Sequence, residues 1–189
     1  MFINRIGKKT GGVINAQVSA GADDGYWFSS SGDFYSNGQA DTIGNPGGAY
    51  GRAHIFARFP SIVIPAGVTI KAAHIEVYLS SIDAGTLAGN RIYLNHEQAP
   101  TAPTTAVAAE NKTLTTAYVD FNPATPVDCW KKSADISSVV QEVVDAHGPL
   151  SAILILWRNN GLVEQSNYGK IRMSEYTGNA HGMKLHVEW

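Results

Sequence analysis

The chain has one cysteine, Cys129, in 189 residues, which excludes an internal disulfide framework and leaves a buried, inert thiol as the expectation. Charge is also sparse. Asp, Glu, Lys and Arg make up 16%, and 14 basic against 16 acidic residues give a net charge of −2. That balance provides no basic field, so nucleic acid is not an expected partner. No apolar run approaches the roughly 18 residues of a membrane span, and none is expected. Met1–Lys9 contains no apolar h-region, so no secretion signal is read there. The six histidines (His54, His74, His96, His147, His181, His186) are scattered, with no pair at metal-ligand spacing. No internal repeat is visible.

What the chain does have is alternation. Ala73-His74-Ile75-Glu76-Val77-Tyr78-Leu79-Ser80 switches between apolar and polar at every residue, and Met183, Leu185, Val187 and Trp189 oppose Lys184, His186 and Glu188. Period two suits an extended strand with one wet face. Further strands are read at Tyr26–Phe28, around Thr42-Ile43, at 52–59, 62–64, 91–96, 118–121 and 170–174, with a short extended piece at 127–130. Ala152–Trp157 is continuously apolar and therefore expected to be covered on both faces. Ile136, Val139, Val140, Val143 and Val144 mark one face of a single short helix at about 135–146, with Ser133 or Asp135 to cap it and Gly148-Pro149 to stop it. The expected fold is all-β: a jelly-roll β-sandwich of eight or nine strands plus that one helix.

Two domains of unequal weight follow. Residues 1–22 lack a sustained period and read either as a frayed end or as an arm that orders on a partner subunit. Residues 23–189 form the sandwich. Ser30–Gly51, rich in Ser, Gly and Asn, is a long loop or a series of turns, and such loops are often functional.

Ala57-Arg58-Phe59-Pro60, Ile64-Pro65-Ala66-Gly67-Val68-Thr69-Ile70, Ala73–Leu79, the Asp135–Asp145 segment and Ser174-Glu175-Tyr176 before a last strand occur in an order that resembles the disaggregatase-related carbohydrate-binding modules. The resemblance covers roughly 23–189. It departs at Val143, where such helices often carry Trp, and at His181-Gly182-Met183, where a Pro usually opens the last strand. It implies a jelly roll that binds rather than catalyses. Related sandwiches also serve as decorations and fibre parts of phage particles. The implied function is a non-enzymatic structural and binding protein of such a particle, capsid- or tail-associated, made in the host cytoplasm and located in the virion. The alternative is a polysaccharide-binding module of a bacterial glycan-degrading or surface system. Other virion subunits and cell-surface polysaccharide are the implied partners, and analogy with virion proteins suggests a homo-oligomer, a trimer.

Sugars stack their flat apolar faces on aromatic rings. Tyr35, Tyr50, Trp27, Trp130 and Tyr168 lie near loops and are the candidate carbohydrate-binding platforms. For Trp27 and Trp130 core packing is the stronger competing reading. Phe2, Ile3, Arg5, Ile6, Lys8 and Lys9 are the candidate partner-binding residues of the arm. Arg52, His54, Phe56 and Arg58 share one strand face, either as a partner surface or beneath a neighbouring loop. Asp23, Asp24, Asp33, Asp41 and Glu175 can be grouped on paper as glycosidase carboxylates, though nothing in their spacing requires it. Jelly-roll modules often hold a structural calcium ion through loop oxygens, and Asp23, Asp24, Asp33 and Asp41 lie in such a loop. Without EF-hand spacing, no metal or cofactor is expected.

Overall fold

A computed structural model of the chain describes residues 11–83, 87–161, 166–178 and 180–189. Its strands are β1 (Val13–Gln17), β2 (Asp24–Phe28), β3 (Phe34–Ser36), β4 (Ala40–Gly47), β5 (Gly51–Ile64), β6 (Ala72–Ile82), β7 (Asn90–Leu94), β8 (Val119–Asp120), β9 (Cys129–Lys132), β10 (Leu150–Asn159), β11 (Asn167–Arg172) and β12 (Lys184–Glu188). Two helices, α1 (Ala106–Glu110) and α2 (Ser137–His147), complete the fold. The class is all-β. The strands form one antiparallel sheet, ordered β1-β12-β6-β11-β4-β5-β10-β7-β8, with β2, β3 and β9 branching from it.

Alternation decides which face each strand buries. In β6, Ala73, Ile75, Val77 and Leu79 point inward while His74, Glu76 and Tyr78 stay half-exposed. Its neighbour β12 follows in register, Ile75 opposite Leu185 and Ala73 opposite Val187. The sheet doubles over, so these residues meet Ile55, Ala57 and Phe59 of β5 and Ile153, Ile155 and Trp157 of β10 in one core. The other face of β10 is covered too. Leu154 and Leu156 pack with Trp27, Phe56, Ala106 and Ala109 in a second, smaller core under α1. The continuous apolar run Ala152–Trp157 is therefore buried on both sides, as its composition predicts.

The helix α2 lies where the valine periodicity puts it, with Val139, Val140, Val143 and Val144 buried. Ile136 occupies the cap position. Asp135 acts one residue earlier, its carboxylate accepting from the backbone N–H groups of Ser137 and Ala73, each at 3.0 Å. Ser133 accepts from Ile75 N–H instead of capping the helix.

Four expectations are corrected. The described residues hold two α-helices rather than one: Ala106–Glu110 forms a turn and a half of helix, capped by Thr105, whose hydroxyl accepts from Ala108 N–H at 3.1 Å. The described residues hold twelve strands, not eight or nine. The segments 52–59 and 62–64 are one strand, β5. Its register on β10 slips where Pro60 pairs Ala152 and Ile64 pairs Leu150, which is how a Pro and a left-handed Ser61 (φ 59°) fit inside a sheet. Finally, the sheet begins at Val13, inside the 1–22 segment. β1 pairs residue for residue with β12, and Val18 just beyond it is buried. Phe2, Ile3, Arg5, Ile6, Lys8 and Lys9 lie outside the described residues.

Candidate functional site

Period two along β2 separates two jobs. Trp27 turns to one face and is fully buried (0% exposed); Tyr26 and Phe28 turn to the other. Across the hairpin, Tyr35 of β3 stands directly opposite Tyr26. Their rings stack at 4.8 Å and 14°, and Phe28 meets both edge-on, at 5.4 Å from Tyr26 and 6.3 Å from Tyr35. Phe28 also leans on Tyr50 at 4.9 Å. Tyr35 and Tyr50, far apart in sequence, thus become the two outer rings of one aromatic patch, 42% and 51% exposed. Burial, then the nearby Asp41 carboxylate, pushes the Tyr26 hydroxyl up to about 12, so it stays protonated.

Hydrogen bonds between two turns hold this patch in place. Ser29 N–H donates to Arg52 C=O (2.8 Å), Ser30 N–H to Tyr50 C=O (3.2 Å), and Arg52 N–H to the Ser29 hydroxyl (3.0 Å). Gly51 has φ 70°, and a Cβ there would come within 2.8 Å of Ser30 Cβ, so no side chain fits at this crossing. Beside Tyr50 the two turns enclose a shallow cavity of about 390 Å³ lined by Ser29, Ser30, Asn45 and Arg52. Arg52 also borders a second hollow of about 220 Å³ with His54, Tyr93, Arg158 and Asn160. Hydroxyl, amide and guanidinium groups next to exposed rings can stack on an apolar sugar face and bond its hydroxyls.

A part-buried network lies on the opposite, Trp27 face of β2. Arg158 pairs with Glu110, and Glu110 accepts from the Trp27 indole N–H at 2.8 Å. Burial, and then repulsion from Arg52, lowers the affinity of Arg158 for its proton. His54 accepts from Asn159 N–H at Nδ1 (3.0 Å), which places the proton of its neutral ring on Nε2. Nε2 stands 3.7 Å from Glu110, too far for a hydrogen bond. Burial, helped by Arg158 and Arg52, pushes His54 down to about 3.

The remaining platform residues do not join the patch. Trp27 is a core residue, because its face of β2 lies under α1. Trp130, half-buried on β9, belongs to another outer face, where it meets Tyr78 (5.7 Å), His181 (6.1 Å) and the Lys184 ammonium (3.6 Å). Tyr168, half-buried on β11, pairs with Gly44, and its hydroxyl is engaged by Asp83. Of the Arg52–Arg58 face, His54 and Phe56 are buried (2% and 0% exposed), Phe56 stacking on Phe34 at 5.4 Å. The covered alternative therefore holds for these two residues. Arg58 pairs with Asp23 at 2.9 Å, which removes Asp23 from the acidic loop group.

Sequence reasoning missed the histidine pairs. His74 and His186 stack at 4.7 Å above a cavity of about 240 Å³, and His96 and His147 approach to 3.3 Å. The signal for the first pair lies in two alternating strands whose outward positions meet only once their register is known. Among the described residues no three His, Cys, Asp or Glu side chains converge as a metal centre, and no helix is long and apolar enough to cross a membrane. Compared with known proteins, the chain matches no family model and no curated protein.

Proposed function

We propose that the chain is a non-enzymatic, polysaccharide-binding protein of the jelly-roll module kind, and that Tyr35 and Tyr50, joined through Phe28, are its sugar platform. The observation that carries this is the exposure of both rings in one continuous patch beside the Ser29, Ser30, Asn45 and Arg52 cavity. Large rings held outward, Tyr35 on β3 and Tyr50 on a hydrogen-bonded turn, lie outside both cores, and a flat apolar partner is what they suit. Binding of the intact chain to an array of neutral and acidic glycans tests it. Tyr35→Ala and Tyr50→Ala should each weaken the retained glycan about tenfold, equivalent to about 1.4 kcal/mol. A clean array, or binding unchanged in both variants, refutes the proposal.

A second role, as a structural subunit of a phage particle, draws support from β1. Among the described residues β1 pairs with β12 alone, two residues separate it from Thr10, and Val13 is 56% exposed. An edge strand of this kind can extend its pairing into another subunit. The two roles are compatible, with the aromatic patch outward and the β1 edge toward the particle. Light scattering on the whole chain and on a variant lacking residues 2–10 separates them: an oligomer that survives the deletion removes the arm from the contact.

A further inference from the structure

The sheet face that buries Phe56, Leu154 and Leu156 runs out into charge at one end. Period two carries that face on to His54 and Arg52 in β5 and to Arg158 in β10, with Tyr93 of β7 opposite Leu156. Arg52, His54, Tyr93 and Arg158 line the hollow of about 220 Å³, and Arg52 also borders the cavity of about 390 Å³ beside Tyr50. A Cβ on Gly161, at φ 78°, would lie 2.6 Å from Arg52 Nη1, so the guanidinium reaches over the turn that follows β10. The cations here are unequally matched. Arg158 is held by Glu110 of α1. Arg91, opposite Arg158 in register, is held by Asp120 at 3.0 Å. Arg52 is exposed, and among the described residues no carboxylate pairs with it. Between the two arginines of the hollow, His54 is buried and neutral, and its Nε2–H has no acceptor. Two guanidinium groups against the one Glu110 carboxylate leave an unmatched positive charge beside a dry N–H, and both call for a negative partner.

We propose that this hollow takes the oxyanion of an acidic sugar, a uronate carboxylate or a sulfate ester, with Arg52 as its main partner and Arg158 beside it. The inference rests on the sugar platform argued above and names the class of glycan that platform takes. A guanidinium presents parallel N–H groups to two oxygens of one oxyanion, a fit that a sugar hydroxyl does not reproduce. Arg52 stands on the boundary shared by the two hollows, so a glycan lying along Tyr50 reaches it through the next substituent on the chain. An anion there balances the unmatched charge and gives the His54 N–H a negative neighbour. A neutral sugar does neither.

The test uses the full chain and matched pairs of glycans: oligomers of galacturonate, glucuronate and mannuronate, each with its methyl ester, and chondroitin sulfate with its desulfated form. The charged member of at least one pair should bind about ten- to hundredfold more tightly than its neutral counterpart, the range expected of hydrogen bonds to a charged group. Which pair shows the preference separates carboxylate from sulfate. Arg52→Gln should bring that ratio close to one. The exposed side chain can change without touching the backbone bonds of Arg52 to Ser29, so the melting temperature should hold. Tyr35→Ala should weaken both members of the pair and leave their ratio. The His54 ring resonances should move on adding the charged member and stay in place with the neutral one. Equal binding within every pair, or a ratio kept in Arg52→Gln, would overturn this inference and leave the platform reading standing. A preference lost in Arg52→Gln, with binding untouched by Tyr35→Ala and Tyr50→Ala, would uphold the anion site and refute the platform. No binding in any pair would overturn this inference, and retention of an uncharged glycan elsewhere on the array would then keep the platform alone.

Discussion

His54 makes the energetics of the patch's foundation measurable. In the native protein its imidazole titrates at about 3, against 6.5 for an ordinary histidine. The unfolded chain therefore takes up a proton near pH 6.5, while the native one stays neutral down to about pH 3. Stability supplied by the buried neutral ring is complete above pH 6.5 and is lost as pH falls from there toward 3. At pH 5.0 the loss relative to pH 7.5 is RT ln(1 + 10^1.5), about 2 kcal/mol, insensitive to the native value as long as that stays below about 4. Asp24 and Asp41, raised by burial, act in the opposite sense over part of this range. The useful quantity is thus the difference between wild type and His54→Asn, whose amide oxygen can still accept from Asn159 N–H. Urea unfolding of both at pH 7.5 and 5.0 measures it. The variant's deficit, from lost packing against Trp27 at 5.0 Å, should shrink by about 2 kcal/mol at the lower pH. A deficit equal at both pH values would mean that His54 titrates as in water, and that Arg52 and Arg158 do not bear on it.

Trp27→Ala should cost about 3–5 kcal/mol, read as a lower urea midpoint, because the ring is fully buried and leaves Glu110 without its indole donor. A cost below about 1 kcal/mol, with glycan binding lost, would restore Trp27 as a platform. Glu142→Gln should cost about 1–3 kcal/mol, because its carboxylate accepts from Thr116 N–H (2.8 Å), the Thr116 hydroxyl (3.0 Å) and Ala117 N–H (2.8 Å), pinning α2 to the segment before β8. Burial pushes that carboxyl up, but these donors outweigh it and hold it below its usual range. The loss should therefore vanish at a pH low enough to protonate Glu142, and a loss unchanged there would refute the account.

The strand class and α2 were legible because each rests on a single period read locally. Ala73–Leu79 and Met183–Trp189 alternate without interruption, and the valines of α2 repeat at three and four. α1 was not legible because five residues rich in alanine carry too short a pattern. Its evidence lies in the Thr105 cap and in Ala106 and Ala109, whose burial depends on β2 and β10 passing beneath. β1 was missed for a related reason: its half-exposed residues form a strand because β12 offers an edge, not because of their own propensity. At the site, Tyr35 and Tyr50 were found by their glycine-rich surroundings. What joins them, Phe28, read only as part of a strand. The sequence alone could not show that Asp41, unlike Asp33, ends up wholly buried, since that follows from its register opposite Ile171 in β11.

The position of the patch has a structural reason. β2 is five residues long and lies beside β5, one of the two central strands of the folded sheet. One of its faces commits Trp27 to a packed and hydrogen-bonded core. The other presents Tyr26 and Phe28, from which Tyr35 and Tyr50 take their orientation. A ring on a mobile loop must lose its rotational freedom when it binds, whereas rings already stacked on a strand have lost it during folding. The buried Asp24 carboxyl sits at the start of the same strand, where it accepts from the Ser174 N–H and hydroxyl, so that contact also fixes where β2 begins. Weakening that anchor should loosen the Tyr26–Tyr35 stack before it disturbs β5 or β10, which are held by the main core on one face and by the second core on the other.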